Sequence, residues 1–359
     1  MIRILGFESS CDETAVSVVA QEENGKLSVL SNVVASQVET HKLYGGVVPE
    51  IASRAHTEAI SALTYQALEE AGASPADIDA VAVTTHPGLI GALLVAVNFA
   101  KSFALSYNIP LYSIDHMRAH IASAFLLPEP PAFPFMAITV SGGHTSLYAV
   151  SSPTDYKQIG ATRDDAVGEA FDKIGRLLGL FYPAGAAFDA LAKEGFCQAT
   201  GEADPQKAFS LFPKTDFYKD PFFHLPSPAL QDGSLDFSFS GLKTAAVNLL
   251  HRIDQTGKVF DKAAFAARYT YEAVSAIVKK TEAAFAAYDF PALVLCGGVA
   301  ANSHLRGALS LLCQKKKKQF FVPPPSLCGD NGAMVAAEGF FAYRYAAPVG
   351  SELNASAAD

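Results

Sequence analysis

Short blocks of alternating hydrophobic and polar residues run along the first third of the chain, and they predict strands followed by helices. R-I-L-G-F-E, E-T-A-V-S-V-V-A and L-S-V-L-S-N-V-V have the alternation of strands, and a turn rich in hydroxyl and acidic groups separates the first two. Residues 48–71 carry apolar side chains at helical spacing, with Pro49 at the start and Gly72 at the end. A buried strand, D-I-D-A-V-A-V-T-T, and a further helix follow. The predicted order is βββαβα.

The same order then begins again. F-P-F-M-A-I-T-V-S-G-G-H-T-S-L-Y-A-V predicts strand, turn and strand, and its turn at residues 141–144 corresponds to S-S-C-D-E in the first half. A third glycine-rich turn follows a strand at residues 293–302 and leads into a helix. Such turns present several backbone N–H groups to one point and suit an anion such as phosphate. The pattern therefore predicts an α/β protein with two related lobes that enclose a nucleotide.

The predicted lobes can be assigned to segments of the chain. Residues 1–130 form the N-terminal lobe, completed by a C-terminal helix at about 331–359, and residues 131–330 form the second lobe. Residues 196–232 are rich in Pro, Asp, Lys and Phe without clear periodicity, which predicts an insertion or long loop. The last residues, S-E-L-N-A-S-A-A-D, are expected to fray.

Composition narrows the function classes. The chain has 359 residues, and half of them are hydrophobic, which argues against a disordered protein. Its net charge of −9 argues against a globally basic nucleic-acid binder. Five scattered cysteines without C-x-x-C spacing argue against a disulfide framework and a zinc ribbon. No uninterrupted apolar stretch approaches the roughly 20 residues that a membrane-spanning helix needs, and we therefore expect a cytoplasmic protein without a membrane partner. Local basic candidates are Arg54 with His56, and the lysine run 315–318.

A histidine pair is the main candidate for chemistry. In I-D-H-M-R-A-H, His116 and His120 are four residues apart, so on a helix their side chains are neighbours and can chelate one ion. Spacing alone leaves two interpretations open, a metal site or two ordinary histidines on a helix. Met117 argues against a zinc metalloprotease, which needs H-E-x-x-H. Asp115 is a candidate helix N-cap or a partner of a ligand histidine.

Eight motifs occur in an order that resembles one family. They are G-F-E-S-S-C-D-E-T, H-K-L-Y-G-G-V-V-P-E-I-A-S-R-A-H, H-M-R-A-H, T-V-S-G-G-H-T, D-D-A-V-G-E-A-F-D-K, F-S-F-S-G-L-K-T-A, G-G-V-A-A-N-S-H-L-R and C-G-D-N-G-A-M. Together they resemble the tRNA N6-adenosine threonylcarbamoyltransferase family, TsaD, of bacterial type. The resemblance implies a two-lobed actin-like or sugar-kinase-like (ASKHA) fold with a duplicated βββαβα core.

The resemblance also implies a site. His116, His120 and Asp330 would bind one Fe²⁺ or Zn²⁺ per chain, and because the histidines and the aspartate are far apart in sequence, we expect the metal to clamp the two lobes at their cleft. Asp12 and Glu13 are candidates to orient the donor or accept the amine proton. The substrate-binding residues implied by the family pattern are Thr139, Val140, Ser141, Gly142, Gly143, Asp172, Gly185, Asp189 and Asn302.

The implied reaction transfers a threonylcarbamoyl group from threonylcarbamoyl-AMP to the exocyclic amine of the adenosine 3′ of the anticodon, in tRNAs that read ANN codons. AMP leaves, and an ATP- or ADP-type nucleotide is a further candidate for the same cleft. The implied partners are tRNA, a TsaB-like paralogue, a TsaE-like small ATPase and a TsaC-type enzyme that supplies the adenylate. The alternatives are a small-molecule kinase of the same fold and a nucleotide-dependent chaperone, neither of which needs the histidine pair.

Four positions depart from the family pattern. His86 stands where glycine is usual in the T-T-H-P-G-L loop, and Ala184 and Gly329 replace a glycine and a threonine beside Gly185 and Asp330. Arg118 stands between the histidines where an acidic residue is common. None of these changes removes a predicted ligand, but Arg118 has no explanation in the sequence.

Overall fold

The chain forms two compact units in a computed structural model, which describes residues 1–228, 230, 232–257, 259–350 and 352–358. The first unit comprises Met1–Ala132, Ser152–Asp155 and Pro323–Asp359, and the second comprises Phe133–Ser151 and Tyr156–Val322.

The first unit is built on a five-stranded sheet. Its elements up to residue 132 are β1 (Ile2–Glu8), β2 (Glu13–Gln21), β3 (Leu27–Ser36), α1 (Val38–Lys42), α2 (Pro49–Glu70), β4 (Ala80–His86), α3 (Ile90–Tyr107), β5 (Leu111–Asp115) and α4 (His116–Ala122). The strand order is β3-β2-β1-β4-β5. β1 pairs antiparallel with β2 and parallel with β4, and β4 pairs parallel with β5. The predicted βββαβα order is confirmed in this half.

The second unit repeats this plan. Its elements are β6 (Phe135–Val140), β7 (Thr145–Ser152), β8 (Asp155–Ala161), α5 (Val167–Leu177), α6 (Gly185–Thr200), α7 (Pro205–Leu211), α8 (Asp216–Lys219), α9 (Ser240–Thr256), α10 (Lys262–Ala287), β9 (Ala292–Cys296), α11 (Ser303–Lys316) and β10 (Gln319–Phe321). The strand order is β10-β9-β6-β7-β8, with β6 antiparallel to β7 and parallel to β9. Read in the opposite direction, as β8-β7-β6-β9-β10, this order matches the first sheet strand for strand, with β6 in the place of β1 and β9 in the place of β4. The predicted duplication is therefore confirmed.

Helices cover both faces of the first sheet, which is why its strands are almost continuously apolar. Leu5 and Phe7 of β1 pack in one hydrophobic cluster with residues of α2 and α3. Ile4, on the opposite face of β1, packs in a second cluster with α4 and with the last helix, α12 (Gly332–Tyr345). The sheet therefore brings α4 and α12 together on one face, although more than 200 residues separate them.

The structure contradicts the prediction of a long loop at 196–232 and the prediction that the tail frays. The segment 196–232 contains the end of α6, the helices α7 and α8, and short 3-10 turns, and Phe212 within it is fully buried against Phe196. The C-terminal helix ends at Tyr345, and the described part of the tail packs on the first unit, where Lys101 Nζ donates to the Leu353 carbonyl at 2.9 Å. Ala229, Gln231, Ser351 and Asp359, which also fall in these predictions, lie outside the described residues.

One described helix is long and apolar enough to span a membrane. This is α3, with a mean hydropathy of 1.5 over 18 residues. The indication is weak, because the core helix of a globular domain has the same composition, and Ala96, Val97 and Ala100 of α3 pack against the first sheet. Cytoplasmic localisation stays a prediction.

Candidate functional site

The histidine pair lies at the start of α4. Asp115 Oδ1 accepts the N–H of Arg118 at 2.8 Å and caps the helix, so the predicted N-cap role of Asp115 is confirmed. His116 is the first helical residue and His120 follows one turn later, with their ring centroids 4.6 Å apart. The local sequence thus fixes both rings on one face, as the four-residue spacing predicts.

Asp330 reaches the same point from the segment before α12. Its Oδ1 lies 3.6 Å from His116 Nε2 and 3.2 Å from His120 Nε2, and the three ligand atoms all fall within 4.8 Å of one another. α12 approaches β1 closely because Gly6 has no side chain: a Cβ there would lie 2.4 Å from the Gly332 carbonyl oxygen. The structure therefore brings together the three side chains that the resemblance implied.

The expectation that a metal clamps two lobes is wrong. Asp330 belongs to the same compact unit as both histidines, because the chain returns to the first unit at Pro323. All three donor groups are thus presented by one unit. The distance along the sequence had suggested different lobes, but the contacts of α12 with the first sheet decide the matter.

Glu8 is a member of this site that sequence reasoning missed. It is fully buried at the end of β1, and its Oε2 lies 3.0 Å from His116 Nδ1 and accepts the hydroxyl of Thr84 at 2.6 Å. The Ser10 N–H donates to Glu8 Oε1 at 2.6 Å. A carboxylate that accepts from Nδ1 fixes the ring and directs the Nε2 lone pair towards Asp330. The sequence did contain one indication of this role, because Glu8 is an acidic residue at the end of an otherwise apolar strand.

Charge is concentrated at this point. Desolvation opposes protonation of His116, but the carboxylates of Asp330 and Glu8 raise its pKa to about 9. Burial pushes the pKa of Glu8 upward, and the facing His116 outweighs burial and lowers it. The carboxylates of Glu8 and Asp330 therefore stabilise a positive charge at His116. A bound cation would take the place of the proton on His116.

His120 provides the test of whether a metal fits. It is fully buried, and among the described residues neither of its ring nitrogens has a hydrogen-bond partner. A buried imidazole left in this state costs about 1–3 kcal/mol, which coordination through Nε2 would recover. Two imidazole nitrogens and a carboxylate oxygen suit Fe²⁺ or Zn²⁺ and leave positions open for a substrate. The residues present fit the implied metal.

Asp12 and Glu13 lie in the turn between β1 and β2 and at the start of β2. Asp12 is buried and Glu13 is partly exposed, and Glu13 Oε1 accepts the Ser36 hydroxyl at 3.2 Å. Burial raises the pKa of Glu13 to about 9, helped by the negative charges of Asp330 and Asp12. Burial, with the same two charges, also raises the pKa of the Cys11 thiol. This acidic turn therefore faces the same region as Asp330.

The predicted basic patches are weakened by the structure. His56 is fully buried: its Nε2 donates to the Cys11 carbonyl at 3.0 Å and its Nδ1 lies 2.7 Å from Thr14 Oγ1, so its assignment to a tRNA-binding surface is wrong. In the lysine run, Lys316 pairs with Glu282 at 2.8 Å and Lys318 with Asp289 at 2.7 Å. Arg54 remains exposed on α2.

The glycine turn of the second unit follows β6, whose last residues are Thr139 and Val140. The Ser141 N–H donates to the His144 carbonyl at 2.8 Å, which closes the turn. A Cβ added at Gly142 or Gly143 would meet no atom within 4 Å, and neither residue has a positive φ. Packing within the protein therefore does not require glycine at these two positions. Close approach of a ligand to their backbone would require it.

Asp172 and Gly185 lie on either side of one loop. Asp172 Oδ1 accepts the Ala184 N–H at 2.7 Å, so this aspartate holds the loop that leads into α6. Gly185 opens that helix, with no atom within 4 Å of a Cβ placed there. Ala184 is fully buried, and its Cβ occupies the space beside Gly175. The side chain of Ala184, which stands where the family pattern has glycine, therefore packs into the interior.

Asp189 and Asn302 meet at the N-terminus of α11. Asn302 Oδ1 caps the helix by accepting the Leu305 N–H at 2.9 Å, and both carboxylate oxygens of Asp189 lie 3.1–3.2 Å from the Ser303 nitrogen. These two residues, which the family pattern assigns to the nucleotide pocket, therefore organise the N-terminus of α11 and already accept two of its backbone N–H groups.

Two aspartates join the D-D-A-V-G-E and F-S-F-S-G-L-K motifs. Asp164 accepts from the hydroxyls of Ser238 and Ser240 at 2.5 and 2.6 Å and from the backbone N–H groups of Phe239 and Ser240. Asp165 forms an ion pair with Lys243. This ion pair ties Lys243, in the first turn of α9, to the D-D-A-V-G-E motif.

The capping role of Asp164 predicts a pH-dependent stability. Partial burial raises its pKa, but the hydrogen bonds from Ser238 and Ser240 outweigh this and lower the pKa below its ordinary value. Such a group stabilises the fold above its unfolded pKa of about 4 and loses that contribution as the pH falls through the lower folded pKa. We expect Asp164→Asn to lower the free energy of unfolding by about 1 kcal/mol at neutral pH, after allowance for solvent screening.

Urea denaturation at pH 7 and at pH 3 tests this. The deficit of Asp164→Asn should shrink at the lower pH, while Asp254→Asn, an exposed substitution on α9, should match the wild type at both. An equal deficit for Asp164→Asn at the two pH values would contradict the charge-based account.

Sequence comparison agrees with the motifs. A family model described as TsaD, tRNA N6-adenosine threonylcarbamoyltransferase, matches residues 28–337. A Listeria welshimeri protein named tRNA N6-adenosine threonylcarbamoyltransferase is 43% identical over 355 residues, which cover 98% of this chain and 95% of the relative. A Streptococcus sanguinis protein of the same name is 46% identical over 333 residues, with coverages of 93% and 90%.

A solved structure with a similar fold is T. kodakarensis HypF. The two chains superimpose with a TM-score of 0.53 at 12% identity, over 95% of this chain and 48% of HypF. At this identity the likeness concerns the fold alone. With the duplicated sheet order described above, the predicted fold class, α/β with the actin-like duplicated βββαβα core, is confirmed.

Proposed function

Because the chain belongs to the TsaD family of tRNA N6-adenosine threonylcarbamoyltransferases, we propose that it transfers threonylcarbamoyl from threonylcarbamoyl-AMP to the adenosine 3′ of the anticodon in tRNAs that read ANN codons. The family makes the chain a transferase that modifies tRNA. The donor, the codon class and the use of Fe²⁺ or Zn²⁺ are the proposed refinements.

One observation carries the proposal. His116, His120 and Asp330 converge with their ligand atoms within 4.8 Å of one another, and the buried His120 has no hydrogen-bond partner among the described residues. A kinase or a chaperone of this fold has no need of such a cluster, because neither activity requires a metal ion bound by histidines. An enzyme that must bind and polarise an acyl donor has a use for it.

The reaction is an acyl transfer. The adenosine N6 forms a bond to the carbamoyl carbon, the bond from that carbon to the phosphate oxygen breaks, AMP leaves with the electron pair, and N6 loses a proton. A bound Fe²⁺ or Zn²⁺ would supply Lewis acidity towards the carbamoyl or phosphate oxygens. His116 and His120 would hold it through Nε2 and Asp330 through Oδ1, while Glu8 keeps the His116 ring oriented. Asp12 is a candidate to receive the proton, and Glu13 is one only in its ionised form, because its raised pKa of about 9 keeps it protonated at neutral pH.

The second unit supplies groups for the adenylate. The backbone N–H groups of Gly142 and Gly143 are donors for phosphate and for charge that builds on oxygen, because those of Ser141 and His144 already donate within the turn. Asp172, Asp189 and Asn302 carry oxygens suited to ribose hydroxyls, and Gly185 opens the helix beside them. We assign the adenylate to these residues, with Thr139 and Val140 placing the turn.

Partners complete the proposal. With a net charge of −9, tRNA must dock on a local surface or on a companion protein. We propose a TsaB-like paralogue and a TsaE-like small ATPase as companions, a TsaC-type enzyme as the source of the adenylate, and the cytoplasm as the location. The ATPase would also account for an ATP- or ADP-type nucleotide bound to the assembly.

Gly143→Ala is expected to weaken donor binding without weakening the fold. The Cβ enters open space in the turn, so the thermal unfolding temperature should match the wild type. The KM for threonylcarbamoyl-AMP should rise about tenfold, because the methyl group occupies the path of a ligand to the backbone N–H groups. Steady-state kinetics with Gly241→Ala, another glycine whose Cβ would meet no atom within 4 Å, as the matched control decide the point. An unchanged KM would remove Gly143 from the donor site.

The function is tested by incubating the purified chain and its companions with threonylcarbamoyl-AMP and unmodified tRNA. Mass spectrometry of the digested tRNA should show N6-threonylcarbamoyladenosine only in tRNAs that read ANN codons, with release of one AMP for each modified base. Phosphorylation of a small molecule without any modified nucleoside would favour the kinase, and nucleotide-dependent refolding activity alone would favour the chaperone.

A further inference from the structure

Arg118 lies between the two histidines, yet it points away from them. Two residues along an α-helix turn the chain by about 200°, so the side chain at 118 emerges on the face of α4 opposite His116 and His120. There its Nη2 forms an ion pair with Glu338 Oε1 at 2.7 Å and donates to the Pro153 carbonyl at 3.1 Å. The Glu338 side chain is only 4% exposed, whereas that of Arg118 is 33% exposed, so the carboxylate half of this ion pair is withdrawn from water.

The ion pair joins the two elements that present the ligands. Arg118 is on α4 with both histidines, and Glu338 is on α12, which begins two residues after Asp330. We propose that Arg118 and Glu338 are positioning residues of the metal site, which fix the rotation of α4 against α12 and so set the distance between the histidine nitrogens and Asp330. This inference rests on the proposed metal function, because it concerns the geometry of the same ligands.

Packing beside the ion pair cannot replace it. A cavity of about 260 Å³ lies next to Arg118 and Glu338 and is also lined by Phe341 of α12, so side chains do not fill the space between the helices there. Elsewhere the contact uses small residues, such as Ala119 on α4 and Ala333 on α12. Small side chains allow close approach but leave rotation weakly determined, whereas an ion pair to the buried Glu338 carboxylate favours one arrangement.

The start of α4 is held by a connected set of groups. Asp115, which caps the helix through the Arg118 N–H, has its Oδ2 3.5 Å from His86 Nε2. His86 and Arg118 are two of the positions at which this chain departs from the family pattern. Both departures therefore belong to one polar cluster that supports the ligand helix. The cluster explains Arg118, which the sequence left without a role.

The test measures metal affinity directly. Zn²⁺ binding is followed by competition with a chromophoric chelator, and ligand geometry by the visible absorption of the Co²⁺-substituted protein. We expect Arg118→Met to weaken Zn²⁺ binding about tenfold and to alter the Co²⁺ spectrum. A tenfold loss is the lower end of the range for residues that support metal ligands from outside the coordination sphere. Glu338→Gln, which keeps the side-chain shape and can still accept from Arg118, should give a smaller loss in the same direction and serves if Arg118→Met does not fold.

The matched control removes a buried ion pair away from the ligands. Arg268 and Glu272 on α10 are paired at 3.1 Å with both side chains less than 10% exposed. Arg268→Met should lower the unfolding temperature and leave Zn²⁺ affinity and the Co²⁺ spectrum unchanged. Wild-type affinity in both Arg118→Met and Glu338→Gln, or an equal loss of affinity in Arg268→Met, would overturn the positioning role. Absence of Zn²⁺ binding by the wild type, or equal binding by His120→Ala, would instead overturn the proposed metal site itself.

Discussion

His120→Ala should abolish both bound metal and tRNA modification. The purified wild type is expected to carry about one Fe or Zn per chain, as a single site with three protein ligands implies. The variant loses a fully buried ligand nitrogen that lies 3.2 Å from Asp330 Oδ1 and, within the described chain, has no hydrogen-bond partner. Metal content by elemental analysis should fall to background, and transfer from threonylcarbamoyl-AMP should become undetectable. His116→Ala and Asp330→Ala should behave alike.

His304→Ala is the matched control for this experiment. His304 is also buried, and among the described residues its ring nitrogens likewise lack hydrogen-bond partners, but it packs against Phe196 in the second unit. Its removal should lower stability and leave the metal content at the wild-type value. Equal loss of metal from His304→Ala and His120→Ala would indicate a general effect of buried-histidine removal, and the assigned ligands would then be wrong.

Gly297→Ala should cost about 3–5 kcal/mol of unfolding free energy, the sum expected for a strained backbone and an overpacked contact. Gly297 has a φ of +90°, which L side chains rarely adopt. Its Cβ would also lie 2.3 Å from the carbonyl oxygen of Val140, a backbone atom that cannot move aside without disturbing the 141–144 turn. Urea denaturation followed by circular dichroism measures the loss.

The neighbouring glycine supplies the control. A Cβ at Gly298 meets no atom within 4 Å, and Gly298 has no positive φ. Gly298→Ala should therefore unfold at the wild-type urea concentration. A similar loss from both variants would show that the turn as a whole, and not the contact of Gly297 with Val140, limits stability.

Periodicity predicted most of the fold because its signals are local. Alternating apolar residues and capped helices identified the first βββαβα unit and its repeat, and the matching sheet orders confirm that plan. In residues 196–232 no periodicity was available, since short helices present only one or two anchors, such as Phe212, to the core. The caps were readable, however: Asp204 precedes Pro205 at the start of α7, and Thr215 caps α8.

The site was less accessible because its parts are distant along the chain. The spacing of His116 and His120 is local, but Asp330 was assigned only through the family resemblance. Its membership in the first unit depends on α12 packing against β1, which local patterns do not encode. Glu8 is 108 residues from His116, and only the sheet order β1-β4-β5 brings the two together. The ion pair of Arg118 with Glu338 depends on the same long-range packing.

A metal titration of the stripped wild-type protein is the most direct test of the whole account. Chelated protein, with its companions, threonylcarbamoyl-AMP and tRNA, receives increasing Fe²⁺ or Zn²⁺, and N6-threonylcarbamoyladenosine is quantified by mass spectrometry. The product should be absent at the start, rise in proportion to added metal and level off at about one equivalent per chain. Full transfer by the metal-free protein would contradict the role assigned to His116, His120 and Asp330.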